Sequence, residues 1–413
     1  MKIEFRNFIL FTAGKGVSIF GSSIYSFVIS LYVLKLTGSA LNFATTLMLS
    51  VIPMVIISPI AGVIADRLPK KSLVVGMDLI NGLLFLLLFV YLQTHSLNLG
   101  IIYLSTVLLN IFTTFFAIGI ESAKPSLVSP ERLVRFNSLS KLIDSSAAIL
   151  GPVVGGVVFA LIDIRFFILF NALSFAFSGL TECFIDFHYH HAFNKVEQNI
   201  EVQMNEVKNK ETLLTDLKVG WHFFTTNKSI LELFFVFVSL NFLLGFSVNV
   251  PAPYIINELL NLSPSSFGII NSLFPVGLIL GTLTVETVMK KVAFRKLLIS
   301  MNAFIAVLAS LIGLPLLLAM SATGSLVFYA TINLLMGIAI AYVDVPIMTL
   351  LQTEVPQNLL GRVMSLIMSL VKVVLPIALI VSGLLINALP VAVIPVLGAS
   401  VALIYSVYLL KKT

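Results

Sequence analysis

Charge is what this chain of 413 residues has least of: only 11% of it is Asp, Glu, Lys or Arg. A soluble globular protein carries about 25%. That scarcity excludes a soluble enzyme, a secreted scaffold and a disordered chain. Cysteine is almost missing too. Cys183 is the only one, which rules out an intrachain disulfide and any thiolate metal cage. The sequence has no phosphate-cradling G-x-x-x-x-G-K-[ST] run, so ATP is not expected to power it. H-E-x-x-H and G-x-S-x-G are missing as well, and neither an enzyme activity, a resident metal nor a cofactor is expected. What fills the chain is apolar: 58% of its residues, with a mean hydropathy of +1.06.

The apolar residues come in separate runs of about twenty, the length that spans a bilayer as an α-helix. A β-barrel would alternate over segments of about ten. The runs predict twelve spans. Six fall at Phe8–Leu34, Asn42–Ala65, Ser72–Leu92, Leu99–Ile120, Asn137–Ile162 and Phe166–Phe184. Six more fall at Ile230–Ile256, Ser265–Met289, Phe294–Met320, Ser325–Leu351, Leu360–Asn387 and Val391–Leu410. The start, Met1-Lys-Ile-Glu-Phe-Arg6, has no small-residue cleavage site behind it and reads as the lead into a retained first span. One long polar stretch interrupts the series. The expected organisation is an N-terminal six-helix bundle over 1–186, a linker over 187–228 and a C-terminal six-helix bundle over 229–413. Late in the linker Leu213, Leu217, Trp221 and Phe224 recur at helical spacing, which predicts an amphipathic helix lying on the membrane. His188, His190 and His191 open the linker and read as solvated loop residues rather than metal ligands.

The net charge of +6 is a matter of placement. With the N-terminus inside, 21 of the 25 Lys and Arg fall in inside segments or in the first turns of spans that start there, and only Lys35 and Arg165 fall in outside loops. Lys15 and Lys372 lie two turns or more inside their spans. This bias puts both termini in the cytoplasm and accounts for the basic balance with no nucleic-acid partner. The two halves also repeat weakly. Pro130-Glu-Arg-Leu133 and Ser138-Leu139 ahead of span 5 are echoed by Pro356-Gln-Asn-Leu359 and Ser365-Leu366 ahead of span 11, and Gly151-Pro152 by Leu375-Pro376. Such internal repeats suit a transporter whose halves rock against each other.

Two motifs carry most of the functional signal. Gly62-Val-Ile-Ala-Asp66-Arg67-Leu-Pro-Lys70-Lys71, between spans 2 and 3, resembles the signature loop of the major facilitator superfamily, G-x-x-x-D-R-x-x-[KR]-[KR]. A degenerate counterpart, Gly281, Glu286 and Lys290-Lys291, follows span 8. Gly62 would allow a close helix approach. Asp66 would face the positive N-terminus of a neighbour. By the resemblance that neighbour is span 11, whose start here is Gly361-Arg362, and Asp78 is expected to complete the charge cluster. In span 5, Ala147-Ala-Ile-Leu-Gly151-Pro152-Val-Val-Gly155-Gly156 is similar to the antiporter signature of the superfamily's exporters, G-x-x-x-G-P-x-x-G-G, with Ala147 in place of the first Gly. Pro152 removes a backbone donor, and the glycines are expected to pack tightly against the other half.

With Asp216-Leu-Lys-Val-Gly220-Trp221 and Leu360-Gly361-Arg362-Val363-Met-Ser365-Leu366, the chain resembles the bacterial macrolide-efflux and siderophore-export branch of that superfamily. One departure stands out. Drug–proton antiporters of the superfamily carry an Arg early in span 4, where this chain reads Leu108-Leu-Asn110-Ile-Phe-Thr-Thr-Phe. An Arg-based proton relay is therefore not expected.

Ionisable groups deep in a bilayer are costly and mark function. Lys15 and Asp144 sit at similar depths in spans 1 and 5, which are neighbours in the fold the resemblance implies. Asp344 and Lys372 sit at similar depths in spans 10 and 11. Two buried pairs, Lys15–Asp144 and Asp344–Lys372, are expected at the substrate cavity, where they would couple a proton to substrate; static interhelical locks are the alternative. Glu121 and Glu182 lie near cytoplasmic span ends where water can reach them, and Glu121 is the better cavity candidate. The 33 Phe and 12 Met suit lipophilic ligands. The expectation is an all-α integral membrane protein of the bacterial inner membrane, acting as a monomer among lipids. It would exchange protons for a small lipophilic or amphipathic compound by alternating access. A siderophore or metallophore exporter is the nearest alternative, since Lys15 and Lys372 could meet an acidic ligand. An uptake permease is the next.

Overall fold

Hydrocarbon offers no hydrogen-bond partners, so a chain this apolar must satisfy its backbone within each segment. The computed structural model describes residues 2–187, 221–355 and 357–411, and among them every regular segment is helical. At Asp66, Arg67 and Arg362 only the backbone is described. The twelve helices run in chain order: α1 Lys2–Thr37, α2 Ala40–Arg67, α3 Lys70–Tyr91, α4 Leu99–Leu127, α5 Pro130–Leu161 and α6 Ile164–Cys183, then α7 Lys228–Leu259, α8 Pro264–Met289, α9 Phe294–Leu317, α10 Ala322–Glu354, α11 Gln357–Ile386 and α12 Val393–Lys411. Eleven contain a stretch long and apolar enough to cross a membrane. The twelfth has a shorter apolar stretch, Val393–Tyr408.

The helices begin where the sequence supplies caps. Asn98, Asp163, Asn227, Ser263 and Ser321 each accept a bond from a backbone N–H just inside α4, α6, α7, α8 and α10, satisfying a donor that the first turn would leave open. Gly38 sits at φ 58° between α1 and α2, a left-handed conformation that costs glycine little. Both α1 and α5 start about six residues earlier than their apolar runs, because polar residues there find partners within the fold. The span read as Ile230–Ile256 is one helix with two wide turns, Leu244–Val248 and Ile255–Leu259. Pro251 and Pro253 bring no backbone donors, and the ladder closes one residue further on, with Asn249 N–H to Leu244 O at 2.8 Å and Leu260 N–H to Ile255 O at 2.8 Å.

The chain resolves into two compact units, Met1–Ile29 with Leu49–Lys210 and Ser30–Met48 with Glu211–Thr413. The division is therefore not a single cut in the linker: the α1–α2 hairpin belongs to the second unit. Leu34, Ala40, Phe43 and Ala44 are buried there with Phe246, Val250, Leu379 and Ile394. The expected linker falls mostly outside the described residues, including His188, His190, His191, Leu213 and Leu217. Residues 221–226 are helical, with Trp221 exposed and Phe224 buried.

In the first unit α3 packs along α6. Phe85 stacks on Phe175 with centroids 5.6 Å apart. The two backbones come close at Gly82 and Gly179, where a Cβ would lie 3.2 Å from Ala176 N and 2.8 Å from a Leu79 methyl. In the second unit α8 crosses α10 at Gly277, Gly281 and Gly337. There a Cβ on Gly277 would strike Leu334 O, and one on Gly337 would strike Phe274 O. Small residues at crossings let helices gain van der Waals contact where lipid supplies no hydrophobic drive.

Candidate functional site

The first unit brings Lys15 and Asp144 together. Lys15 lies two turns past the polar start of α1, and Asp144 lies midway along α5. Lys15 Nζ stands 2.9 Å from Asp144 Oδ1 and 3.1 Å from Oδ2, and also donates to the Ser140 hydroxyl one turn back on α5. The pair is lopsided: the lysine side chain is 4% exposed and the aspartate 40%. The ammonium is closed in by the fold while the carboxylate is not, so the lysine depends on its partner more than the reverse.

The glycines of the span 5 motif join the same two helices. A Cβ on Gly151 would strike the Ser23 hydroxyl, and one on Gly155 would lie 2.8 Å from the Phe27 ring. Ser23 Oγ donates to Ala147 O at 2.9 Å. Gly151 and Gly155 thus seat α5 against α1 of their own unit. This corrects the expectation that they face the other half: the motif's small stripe is used up by Ser23 and Phe27. Gly156 is buried, and Pro152 lies inside the helix.

The second expected pair does not form. Asp344 is partly buried on α10 and makes no ion pair within 4.0 Å with Lys372, which is exposed on α11. Adjacency in sequence misled here, because α10 packs on α8 and α9 rather than along α11. Glu121 pairs with Lys124 on its own helix at 2.5 Å. Glu182, expected within reach of water, is 0% exposed: Gly14 of α1 closes over it, with a Gly14 Cβ position 3.1 Å from Glu182 Cγ. Among the described loop side chains, neither Lys70 nor Lys71 pairs with Asp78. The aspartate is buried, and its Oδ1 accepts from Ser18 Oγ at 3.1 Å.

Of the loop motif, Lys70 Nζ donates to Ser122 O near the end of α4 at 3.0 Å, and Lys71 is exposed. No described atom lies within 4 Å of a Cβ built on Gly62. The side chains of Asp66, Arg67 and Arg362 lie outside the described residues, and with them the expected contact to span 11.

Several polar residues that the sequence reading passed over are built into the fold. Glu4 Oε1 accepts from Ser129 N–H at 2.8 Å and from Ser129 Oγ at 2.9 Å, and its Oε2 stands 3.3 Å from Arg132. A carboxylate from α1 thereby caps α5, whose own Ser129 side chain makes no cap. Asn7 Nδ2 donates to Leu127 O and Asp186 O, and Asp186 N–H donates back to Asn7 Oδ1. In the second unit Lys35 stands 3.3 Å from Glu258 Oε1 and donates to Asn257 O in the second wide turn of α7. Glu232 faces Arg295 at 3.8 Å beside a cavity of about 210 Å³ between α7, α9 and α10. The available signal was a polar residue at a helix end, too common a pattern to single these out.

The profile of the Major Facilitator Superfamily matches residues 11–378. Macrolide efflux protein A of Streptococcus pyogenes is 23% identical over 375 residues, covering 90% of this chain and 87% of its own. Among solved structures, a bacterial homologue of the iron transporter ferroportin in an inward-facing state superposes with a TM-score of 0.69 at 17% identity, covering 98% of each chain. The nucleoside transporter NupG superposes with a TM-score of 0.72 at 14% identity, covering 100% of this chain and 99% of its own. At such identities the structural likeness fixes the fold alone.

Proposed function

The chain belongs to the major facilitator superfamily and is a multi-pass membrane transporter of small molecules rather than an enzyme, and from that premise we propose that it exports a lipophilic or amphipathic compound in exchange for protons. The observation that carries this reading is the Lys15–Asp144 pair beneath the Gly151-Pro152…Gly155 seat, an ion pair within the membrane-spanning part of two tightly packed helices. Ionisable groups are kept at such depth when something uses them. The similarity to Macrolide efflux protein A over most of the chain favours export and a macrolide-like substrate class.

In this reading the bundles rock about a site near the midplane. Lys15 and Asp144 exchange their mutual bond for substrate or proton during the cycle. Asp344, Lys372 and Glu121 are additional groups a substrate could meet. Gly62, Asp66, Arg67, Lys70 and Lys71 with Arg362 hold the cytoplasmic side closed in one half of the cycle. The protein works in the bacterial inner membrane as a monomer with both termini in the cytoplasm.

Everted membrane vesicles test the direction and the coupling together. With the interior acidified, radiolabelled erythromycin should accumulate, and a protonophore should abolish the accumulation. Asp144→Asn vesicles should fail to accumulate it. Equal accumulation with and without the proton gradient would remove the antiport reading. Unchanged accumulation in the Asp144→Asn and Lys15→Gln vesicles would remove the pair from the mechanism.

A further inference from the structure

Among the described residues, the seam where α1, α3 and α6 meet holds two carboxylates and no cation. Asp78 on α3 and Glu182 on α6 are 1% and 0% exposed. The Ser178 hydroxyl, one turn before Glu182 on α6, stands 3.4 Å from Glu182 Oε1. That hydroxyl has a single hydrogen, and its short bond goes elsewhere, to Gly14 O at 2.8 Å. Toward Glu182 the Ser178 hydroxyl is therefore left with a long, weak bond at most, and it does not neutralise the acid. The remaining oxygens, Asp78 Oδ2 and Glu182 Oε2, have no partner. One turn along the same face of α3, Asn81 is fully buried with both side-chain polar atoms unpaired.

Among the described residues, no charge of opposite sign faces this seam from the helices packed on it. On α1 the facing residues are Gly14 and Ser18, while Lys15 is turned to Asp144 and Ser140 on α5. On α6 the other titratable neighbour is the Cys183 thiol. From α4 the contact on this part of α3 is Gly119 against Leu73 and Val74. Two like charges cannot share a dry site without a counter-charge.

We infer that Asp78 and Glu182 together bind one exchangeable proton, forming a proton site between α1, α3 and α6 apart from the Lys15–Asp144 pair. One carboxyl is protonated and donates to Ser178 or to its partner, and the other is ionised and held by Ser18. As a coupling site this rests on the proton-exchange reading above; as a proton site it stands without it. Loss of the proton would leave two carboxylates repelling each other across the α3–α6 contact, which closes tightly at Gly82 and Gly179. The proton state is thereby tied to how closely two helices of one bundle can pack.

Infrared spectroscopy of the full chain in lipid nanodiscs tests the site directly. The wild type should show the carbonyl band of a protonated carboxylic acid, shifting on transfer to heavy water. The Asp78→Asn/Glu182→Gln variant, whose amides match the neutral acids in shape, should lack it. A spectrum superimposable on the wild type in that region would overturn the assignment. If the double variant does not fold, Ser18→Ala removes the donor to Asp78 and leaves both acids, so it should move the same band; an unmoved band overturns the assignment equally. Loss of the band on replacing choline chloride by sodium chloride would assign the site to sodium instead and also overturn it. In everted vesicles the double variant should lose acid-driven erythromycin accumulation. Wild-type vesicles that fail to accumulate it count against export and leave the infrared result standing. A double variant that accumulates normally removes the site from coupling.

Discussion

At the scale of single residues, the Lys15–Asp144 pair predicts an unequal response to mutation. Asp144→Asn leaves an ammonium group almost wholly buried with only Ser140 for company, and stranding a buried charge costs about 3–5 kcal/mol. Lys15→Gln leaves a carboxylate that the fold does not enclose. Thermal unfolding in detergent should show the aspartate variant losing much more stability than the lysine variant; equal losses would mean that Asp144 does not neutralise the lysine. Glu4 offers a second prediction. Glu4→Gln keeps the shape but removes the charge that faces Ser129 and Arg132. It should cost about 1–3 kcal/mol, read in the same melts, and Arg132→Ala should cost less because the arginine is half exposed. Depth arithmetic along helices matched the residues of the first pair and mismatched Asp344 with Lys372. Depth is one coordinate of three, and the angle around each helix is set only by packing.

At the scale of helices, the glycines sort into two kinds by what lies opposite them. At Gly151 the obstacle is the Ser23 side chain. Gly151→Ala should cost about 1–3 kcal/mol by overpacking, and Ser23→Gly in the same chain should restore most of that loss. At Gly277 and Gly337 the obstacle is backbone: Leu334 O and Phe274 O. Gly277→Ala should be at least as damaging as Gly151→Ala, and no side-chain change on α10 should rescue it. Measured rescue at Gly277 would mean the α8–α10 crossing is looser than its geometry. The sequence marked Gly62, Gly151 and Gly155 as packing positions through its motifs. It said nothing of Gly82, Gly179, Gly277 or Gly337, because an isolated glycine in an apolar helix carries no sign of which helix it will meet. The wide turns of α7 were half legible. Pro251 and Pro253, which the span reading left unremarked, remove two backbone donors, but the repair by bonds one residue longer shows only in the folded helix.

For the whole molecule, the charge bias predicts sidedness. In a Cys183→Ser chain, single cysteines replacing exposed His95, Ser263 or Leu389 should react with an impermeant maleimide in intact cells. Cysteines replacing exposed Leu68 or Lys291 should react only after permeabilisation. The reverse pattern would invert the topology. The two compact units also differ from the two halves of the sequence, because Ser30–Met48 clusters with the second. Apolar runs and a polar linker predict where spans start and stop, but they carry no information on which bundle receives the end of a helix.

The sequence alone determined that this is a bundle of membrane-crossing helices, where they begin and end to within about two turns, and which superfamily it resembles. Those features follow from hydrophobic length and short-range spacing, which are local properties. Tertiary structure decided which polar groups meet: that Lys15 finds Asp144, that Lys372 finds no partner in Asp344, and that Asp78 and Glu182 are closed together away from water. Burial and pairing depend on the rotation and tilt of helices far apart in sequence, and only the packed chain fixes those.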